Sequence, residues 1–178
     1  MLKAQKDARI VIDFYRNLLF KENEMNKLYE ELCLNLRGIT EGERHAVPNM
    51  ANAAAILWAG LKNINWAGFY TMQKEGYLLL SPFQGKVACI RIPVGKGVCG
   101  TAVAENKTLV VADVHEFKGH IACDSASASE IVVPLHDKSG AVVGVLDIDS
   151  PEKARFSAED KEGLEAFAHI LESACDWE

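Results

Sequence analysis

At Trp66 the spacing of apolar residues changes from three and four to two, and this switch limits the possible folds more than any other feature of the chain. WAGFYTM (66–72) and YLLLSPF (77–83) flank a Lys74-Glu75-Gly76 turn, and residues 130–136 and 141–149 flank a second turn at 137–140, so each pair reads as a β-hairpin. CIRIPV (89–94) and TLVVADV (108–114) add single strands, and GKGVCGTAVAEN (95–106) opens on glycines and continues as a short helix. Before Trp66 the pattern is helical. Ile10, Phe14 and Leu18, then Met25, Leu28, Tyr29, Leu32 and Leu36, recur at helical spacing, as one helix or as two broken near 21–23. PNMANAAAILWAGL (48–61) reads as another helix, ended by the turn at 63–65. At the other end, Ser157 with Asp160 approximates a capping box ahead of the stripe Leu164, Phe167, Ala168, Leu171 and Cys175. About six strands with helices gathered at both ends describe an α+β domain, an antiparallel sheet with helices mainly on one face. Regular βαβ alternation is absent, which argues against a doubly wound parallel sheet.

A length of 178 residues suits a single domain with a sizeable core. The net charge of −6, with dispersed Lys and Arg, argues against nucleic acid and against an anionic membrane surface as partners, leaving small molecules or proteins. Asp7, Arg9, Asp13 and Arg16 interrupt the apolar N-terminal pattern, so it does not read as a secretory signal, and no apolar run reaches the length of a membrane span. Five cysteines, an odd number, without such a signal point to a reducing compartment and a cytoplasmic location.

Side chains alternate across a strand, so Asp147 and Asp149 in GVLDIDS share a face, as do Trp66 and Tyr70 in WAGFY. Paired acids at a strand end are usually just solvated, and a lone Trp is usually core. Together they suit a pocket for a small cation, with rings enclosing its apolar part and carboxylates receiving an ammonium. Cys33 and Cys175 sit in helical apolar patterns and read as structural. The other three thiols differ. Cys89 opens a strand after a polar run; Cys99 lies at a helix start, which favours thiolate and predicts a lowered pKa; Cys123 sits in the loop GHIACDSASA, where His120 offers the same effect or is simply a loop residue. With His115 and His120 these cysteines could supply zinc ligands, but no CxxC or HxxxH pair is present. A phosphatase loop would need an arginine beside Cys123, and Cys/His hydrolase chemistry leaves three candidate thiols unexplained. Thiol redox chemistry accounts for them better, one thiolate becoming a sulfenic acid and a second condensing with it to a disulfide.

The segments NWAGFY (65–70), SPFQGKVACIRIPVGKGVCGTAVA (81–104), DVHEFKGHIACDSASASEIVVPL (113–135) and GVLDIDS (144–150) closely resemble the free methionine-(R)-sulfoxide reductases, stand-alone GAF-domain proteins. The resemblance runs from about residue 49 to the C-terminus. It implies a GAF domain over 46–178 with a variable helical extension over 1–45, a central six-stranded antiparallel sheet, helices on one face and a ligand pocket on the other. It also implies roles: Cys123 attacks the sulfoxide sulfur, Cys89 resolves the sulfenic acid as a disulfide, and Cys99 is a further exchanging thiol. Trp66 and Tyr70 would box the methyl sulfoxide end; Glu130, Asp147 and Asp149 would bind and polarise the substrate, with Glu130 or Asp149 as proton donor. Backbone N–H groups of the turn at 84–89 would take the substrate carboxylate. The implied substrate is free methionine sulfoxide, the recycling partner a thioredoxin-type reductant, the assembly a homodimer, and no cofactor is called for. The rival expectation is a GAF module that senses a small ligand without chemistry, although sensor modules are normally joined to an output domain for which this length leaves no room.

Overall fold

In the computed structural model, residues 26–119 and 125–177 are described. The elements are helix α1 (residues 26–40), α2 (Ala46–Gly60), strands β1 (Trp66–Met72), β2 (Tyr77–Gly85) and β3 (Arg91–Pro93), helix α3 (Gly97–Glu105), strands β4 (Leu109–Val111), β5 (Ser129–His136) and β6 (Val142–Ser150), and helix α4 (Ala158–Ala174). All six strands form one sheet in the order β3-β2-β1-β6-β5-β4, and every pairing is antiparallel. The predicted α+β architecture, a six-stranded antiparallel sheet with helices, is therefore what the chain adopts. Both predicted hairpins are present, and β1 and β6 meet at the centre, joining them. Among the described residues no helix is long and apolar enough to cross a membrane.

Strand alternation divides the interior into two cores. Ala67, Phe69, Ile131, Val133, Leu135, Leu146 and Ile148 face one way and pack under α1, α2 and α4. The helices contribute the residues their spacing predicts: Tyr29, Leu32 and Leu36 from α1, Met50, Ala53, Ala54 and Leu57 from α2, and Leu164, Phe167, Ala168 and Leu171 from α4, with Cys175 at its end. Each Leu, Ile, Val, Met or Phe among them contributes roughly 1.5–3 kcal/mol by leaving water. Ile10, Phe14, Leu18 and Met25 lie outside the described residues.

The capping box at the start of α4 forms as predicted, Asp160 N–H donating to Ser157 Oγ at 3.2 Å and Ser157 N–H to Asp160 Oδ2 at 2.8 Å. Asp160 does more than cap. Its Oδ1 accepts the Tyr29 hydroxyl at 2.7 Å and its Oδ2 lies 3.1 Å from Arg155 Nη1, which ties α1 to the entry of α4 through a buried acid. Burial, then the Asp160 charge, pushes the Tyr29 hydroxyl far above its ordinary pKa, so the phenol remains a donor.

The third strand is shorter than its apolar pattern predicts, and Cys89 lies before it rather than at its start. The cause is local. Leu80 N–H donates to Ile90 O at 2.9 Å, and the next donor facing that side of β2 would be residue 82, a proline with no N–H. Pairing stops there, a bulge shifts the β1–β2 register between Gly68 and Tyr70, and residues 86–90 leave the sheet as a loop over its second face.

Candidate active site

The second face of the sheet carries the residues that could do chemistry. In the register, Trp66 pairs with Asp149 and Asp149 with Glu130, so an aromatic ring and two acids lie in one row across β1, β6 and β5. The adjacent row holds Gly68, Asp147 and Val132, and the next places Tyr70 opposite Val145. All of these are on one face because directly paired residues project to the same side. Helix α3 crosses this face, its Val98, Cys99, Ala102 and Val103 packing with Trp66, Tyr70, Val132 and Val145. The structure thus brings together Trp66, Tyr70, Cys99, Glu130, Asp147 and Asp149, six residues drawn from four elements. Cys123 and His120 lie outside the described residues; His115 is exposed.

The apolar ring face is wider than the sequence indicates. Trp66 stacks on Tyr70 with centroids 5.8 Å apart and on Phe83 at 5.2 Å and 15°. Phe83 was not singled out from the sequence, since its position depends on the β1–β2 register, where it sits opposite Gly68. A Cβ at Gly68 would lie 2.3 Å from Phe83 Cβ and 2.8 Å from the Trp66 ring, so only glycine lets the rings close over this point. Trp66 also anchors the loop that follows. Its Nε1–H donates to Lys86 O at 3.1 Å, holding residues 86–90 against the aromatic wall. In that loop Ala88 and the half-buried Cys89 pack inward, while Val87 and Ile90 are exposed. Among the described residues, the backbone N–H groups of Val87, Ala88 and Cys89 donate to no carbonyl.

The electrostatics are those of acids forced together away from water. Glu130 and Asp147 are each 6% exposed and Asp149 half-buried. Burial, then the charges of Asp147 and Asp149, hold the Glu130 carboxyl well above its ordinary pKa, which favours its protonated form. Burial lifts Asp147 to about 7, against a smaller downward pull from its neighbours Cys99 and Glu130. Its Oδ1 is buried with no hydrogen-bond partner among the described residues.

Cys99 corrects the expectation of an activated thiol. It is the third residue of α3, where the helix dipole favours thiolate, yet its pKa is pushed well above that of a free cysteine. Burial is the largest cause, followed by the charges of Asp147 and Glu130. A nine-residue helix offers about half a positive charge at its N-terminus, which is less than desolvation and several carboxylates take away. The thiol instead donates to Glu130 Oε1 at 3.8 Å. Cys33 is half-buried against the helix-side core and Cys175 is buried at the end of α4, their pKa values raised by burial, as inert structural thiols.

Known proteins resemble this chain in sequence and fold. A family model described as GAF domain matches residues 51–176. The chain is 51% identical over 150 residues to the free methionine-R-sulfoxide reductase of Escherichia coli, covering 83% of this chain and 90% of that protein. It is 44% identical over 161 residues to the free methionine-R-sulfoxide reductase of Saccharomyces cerevisiae, covering 86% and 89%. Among solved structures, the reduced fRMsr of Staphylococcus aureus superposes with a TM-score of 0.79 at 51% identity, covering 82% of this chain and 94% of that one. With 44–51% of the aligned residues identical across most of the chain, it belongs to the GAF-domain family and, within it, to the oxidoreductases of the free methionine-R-sulfoxide reductase family.

Proposed function

We propose that the protein reduces free methionine-R-sulfoxide to methionine in the pocket walled by Trp66, Tyr70 and Phe83 and floored by Glu130, Asp147 and Asp149. The observation that carries this reading is the row of acids pressed against stacked rings. A zwitterionic amino acid with a polar sulfoxide and an apolar methyl end needs both. The methyl sulfoxide end would lie among the rings, the ammonium against an ionised carboxylate, and the carboxylate on the N–H groups of residues 87–89, which donate to no carbonyl among the described residues. Both charged ends disappear when methionine is built into a peptide, so the site selects the free amino acid.

The chemistry assigned to these groups is as follows. The Cys123 sulfur attacks the sulfoxide sulfur while Glu130, whose raised pKa favours the protonated form, protonates the departing oxygen. The oxygen passes to Cys123 as a sulfenic acid and methionine leaves as the thioether. Cys89 then condenses with that sulfenic acid, expelling water and forming a disulfide, which an external thioredoxin-type dithiol reduces. Exposed Val87 and Ile90 beside Cys89 give such a reductant an apolar footing. Cys99, protonated and buried, enters exchange only after the other two. A cytoplasmic, thiol-reducing setting suits this cycle.

The test is single-turnover chemistry on the reduced protein. Cys123→Ser should release no methionine, and Cys89→Ser should release one equivalent without recycling. Equal loss of the first turnover in both variants would overturn the assigned thiol roles. Tight binding of methionine sulfoxide with no turnover in the parent protein would leave a ligand-sensing module instead.

A further inference from the structure

Cys99, Glu130 and Asp147 each offer one donor atom, and the three donors lie within 4.8 Å of one another with all three residues buried. They come from α3, β5 and β6, which pack together on the second face of the sheet. Two observations set this cluster apart from an ordinary group of acids. It contains a sulfur, and Asp147 Oδ1 is an acceptor, in a residue only 6% exposed, that has no partner among the described residues. An unsatisfied buried carboxylate oxygen is costly, and a bound cation would satisfy it directly.

We propose that this triad is a zinc site, occupied reversibly and in competition with the substrate. In a tetrahedral site with Zn–S near 2.3 Å and Zn–O near 2.1 Å, a sulfur and an oxygen ligand are roughly 3.6 Å apart. Cys99 Sγ and Glu130 Oε1 are 3.8 Å apart, so this pair already stands within a few tenths of an ångström of that spacing. The donor set selects the metal. One thiolate with two carboxylates suits zinc, whereas calcium and magnesium prefer oxygen-only shells and retain more ligands. Binding displaces the Cys99 thiol proton and any proton held by the two carboxyls, and the doubly charged ion then neutralises acids that otherwise repel one another. Three protein donors leave the fourth position open, the pattern of an exchangeable rather than a structural site. Competition rests on the function proposed above, since the same carboxyls would receive the substrate; the binding of zinc does not.

The experiment uses the full chain, reduced and stripped of metal. Zinc is titrated against a chromophoric chelator, and cobalt serves as the spectroscopic probe of thiolate ligation. A single zinc ion per chain is expected, with a near-ultraviolet sulfur-to-cobalt charge-transfer band. Cys99→Ser should abolish the band, and Asp147→Asn and Glu130→Gln, which preserve shape, should each weaken zinc by more than about tenfold, the scale on which outer-shell partners alone act. Cys89→Ser and Cys123→Ser should keep the band. Failure to bind zinc more tightly than Cys99→Ser does, or a band that vanishes in Cys123→Ser instead, overturns the site. Zinc bound at the triad in a protein that cannot reduce methionine sulfoxide would sink the proposed function and leave the site standing; normal turnover without zinc binding would do the reverse.

Discussion

Ile131 and Glu130 are neighbours on β5, and Ile148 and Asp147 are neighbours on β6, yet within each pair one residue strengthens the fold and the other burdens it. Ile131 and Ile148 enter an all-apolar core under three helices. Glu130 and Asp147 are nearly as buried but face a thiol, a second acid and aromatic rings, and burial holds both carboxyls above their ordinary pKa. The same strands therefore carry a stabilising face and a face where stability is given up to hold two acids away from water. Such local conflict with good packing is the usual mark of a working site.

Substitution of adjacent residues breaks the comparison most directly. Glu130→Gln should lower methionine release about 10²–10⁴-fold, the range for losing a general acid, with its urea midpoint unchanged or raised. Ile131→Ala should do the opposite, losing about 2–5 kcal/mol of stability while the folded fraction turns over at close to the parental rate. Single-turnover assays and urea titrations of the two variants decide it. A destabilised Glu130→Gln with normal turnover would show that the acid is structural.

The pH dependence of stability gives a second contrast, with its sign set by Asp147. That carboxyl loses its proton near pH 4 in the unfolded chain and near 7 in the fold, so between these values the native state holds more protons. Stability contributed by this group therefore falls as pH rises through about 4 to 7. Asp147→Asn removes that contribution, and the variant should gain on the parent as pH rises, with Glu130 leaving some slope of the same sign. Urea midpoints at about pH 5 and about pH 8, in chelator, measure it. Ile148→Val, on the opposite face, should shift both midpoints equally.

A smaller effect is expected at Trp66. Phenylalanine there preserves a ring on the wall but removes the bond to Lys86 O, worth about 0.5–1.5 kcal/mol. The KM for free methionine sulfoxide should rise roughly 3–10-fold, with formation of the proposed Cys89 disulfide slowed because the loop carrying that thiol is less firmly held. A KM unchanged by Trp66→Phe would detach the aromatic wall from substrate binding.

The two faces were not equally legible in the sequence. Period-two alternation fixes which residues share a face, so the pairing of Trp66 with Tyr70 and of Asp147 with Asp149 could be read directly, as could the helical stripes beneath the other face. Register could not be read that way, and register is what places Glu130 beside Asp149 and Phe83 over Gly68. Cys99 failed for a related reason. Its position at a helix start was right, but the sign of its pKa shift depends on carboxylates from two distant strands and on burial beneath a helix. The short third strand was foreshadowed by Pro82, whose missing N–H signals the end of pairing only once the partner strand is known.

The smallest expected effect sharpens the contrast by staying on the helix side. Ser157 caps α4 from an exposed position, so when Ser157→Ala removes the acceptor, water can take up the Asp160 N–H. The reciprocal bond from Ser157 N–H to Asp160 Oδ2 remains, as do those of Asp160 to Tyr29 and Arg155, so the junction of α1 and α4 should hold. The loss should be only about 0.5–1 kcal/mol in a urea titration. Because the cap serves α4 under the other face of the sheet, kcat and KM for methionine sulfoxide should not move. A change in either at unaltered zinc affinity would mean that the helix layer positions the acids through the strands, and the two faces would have to be treated as one mechanical unit.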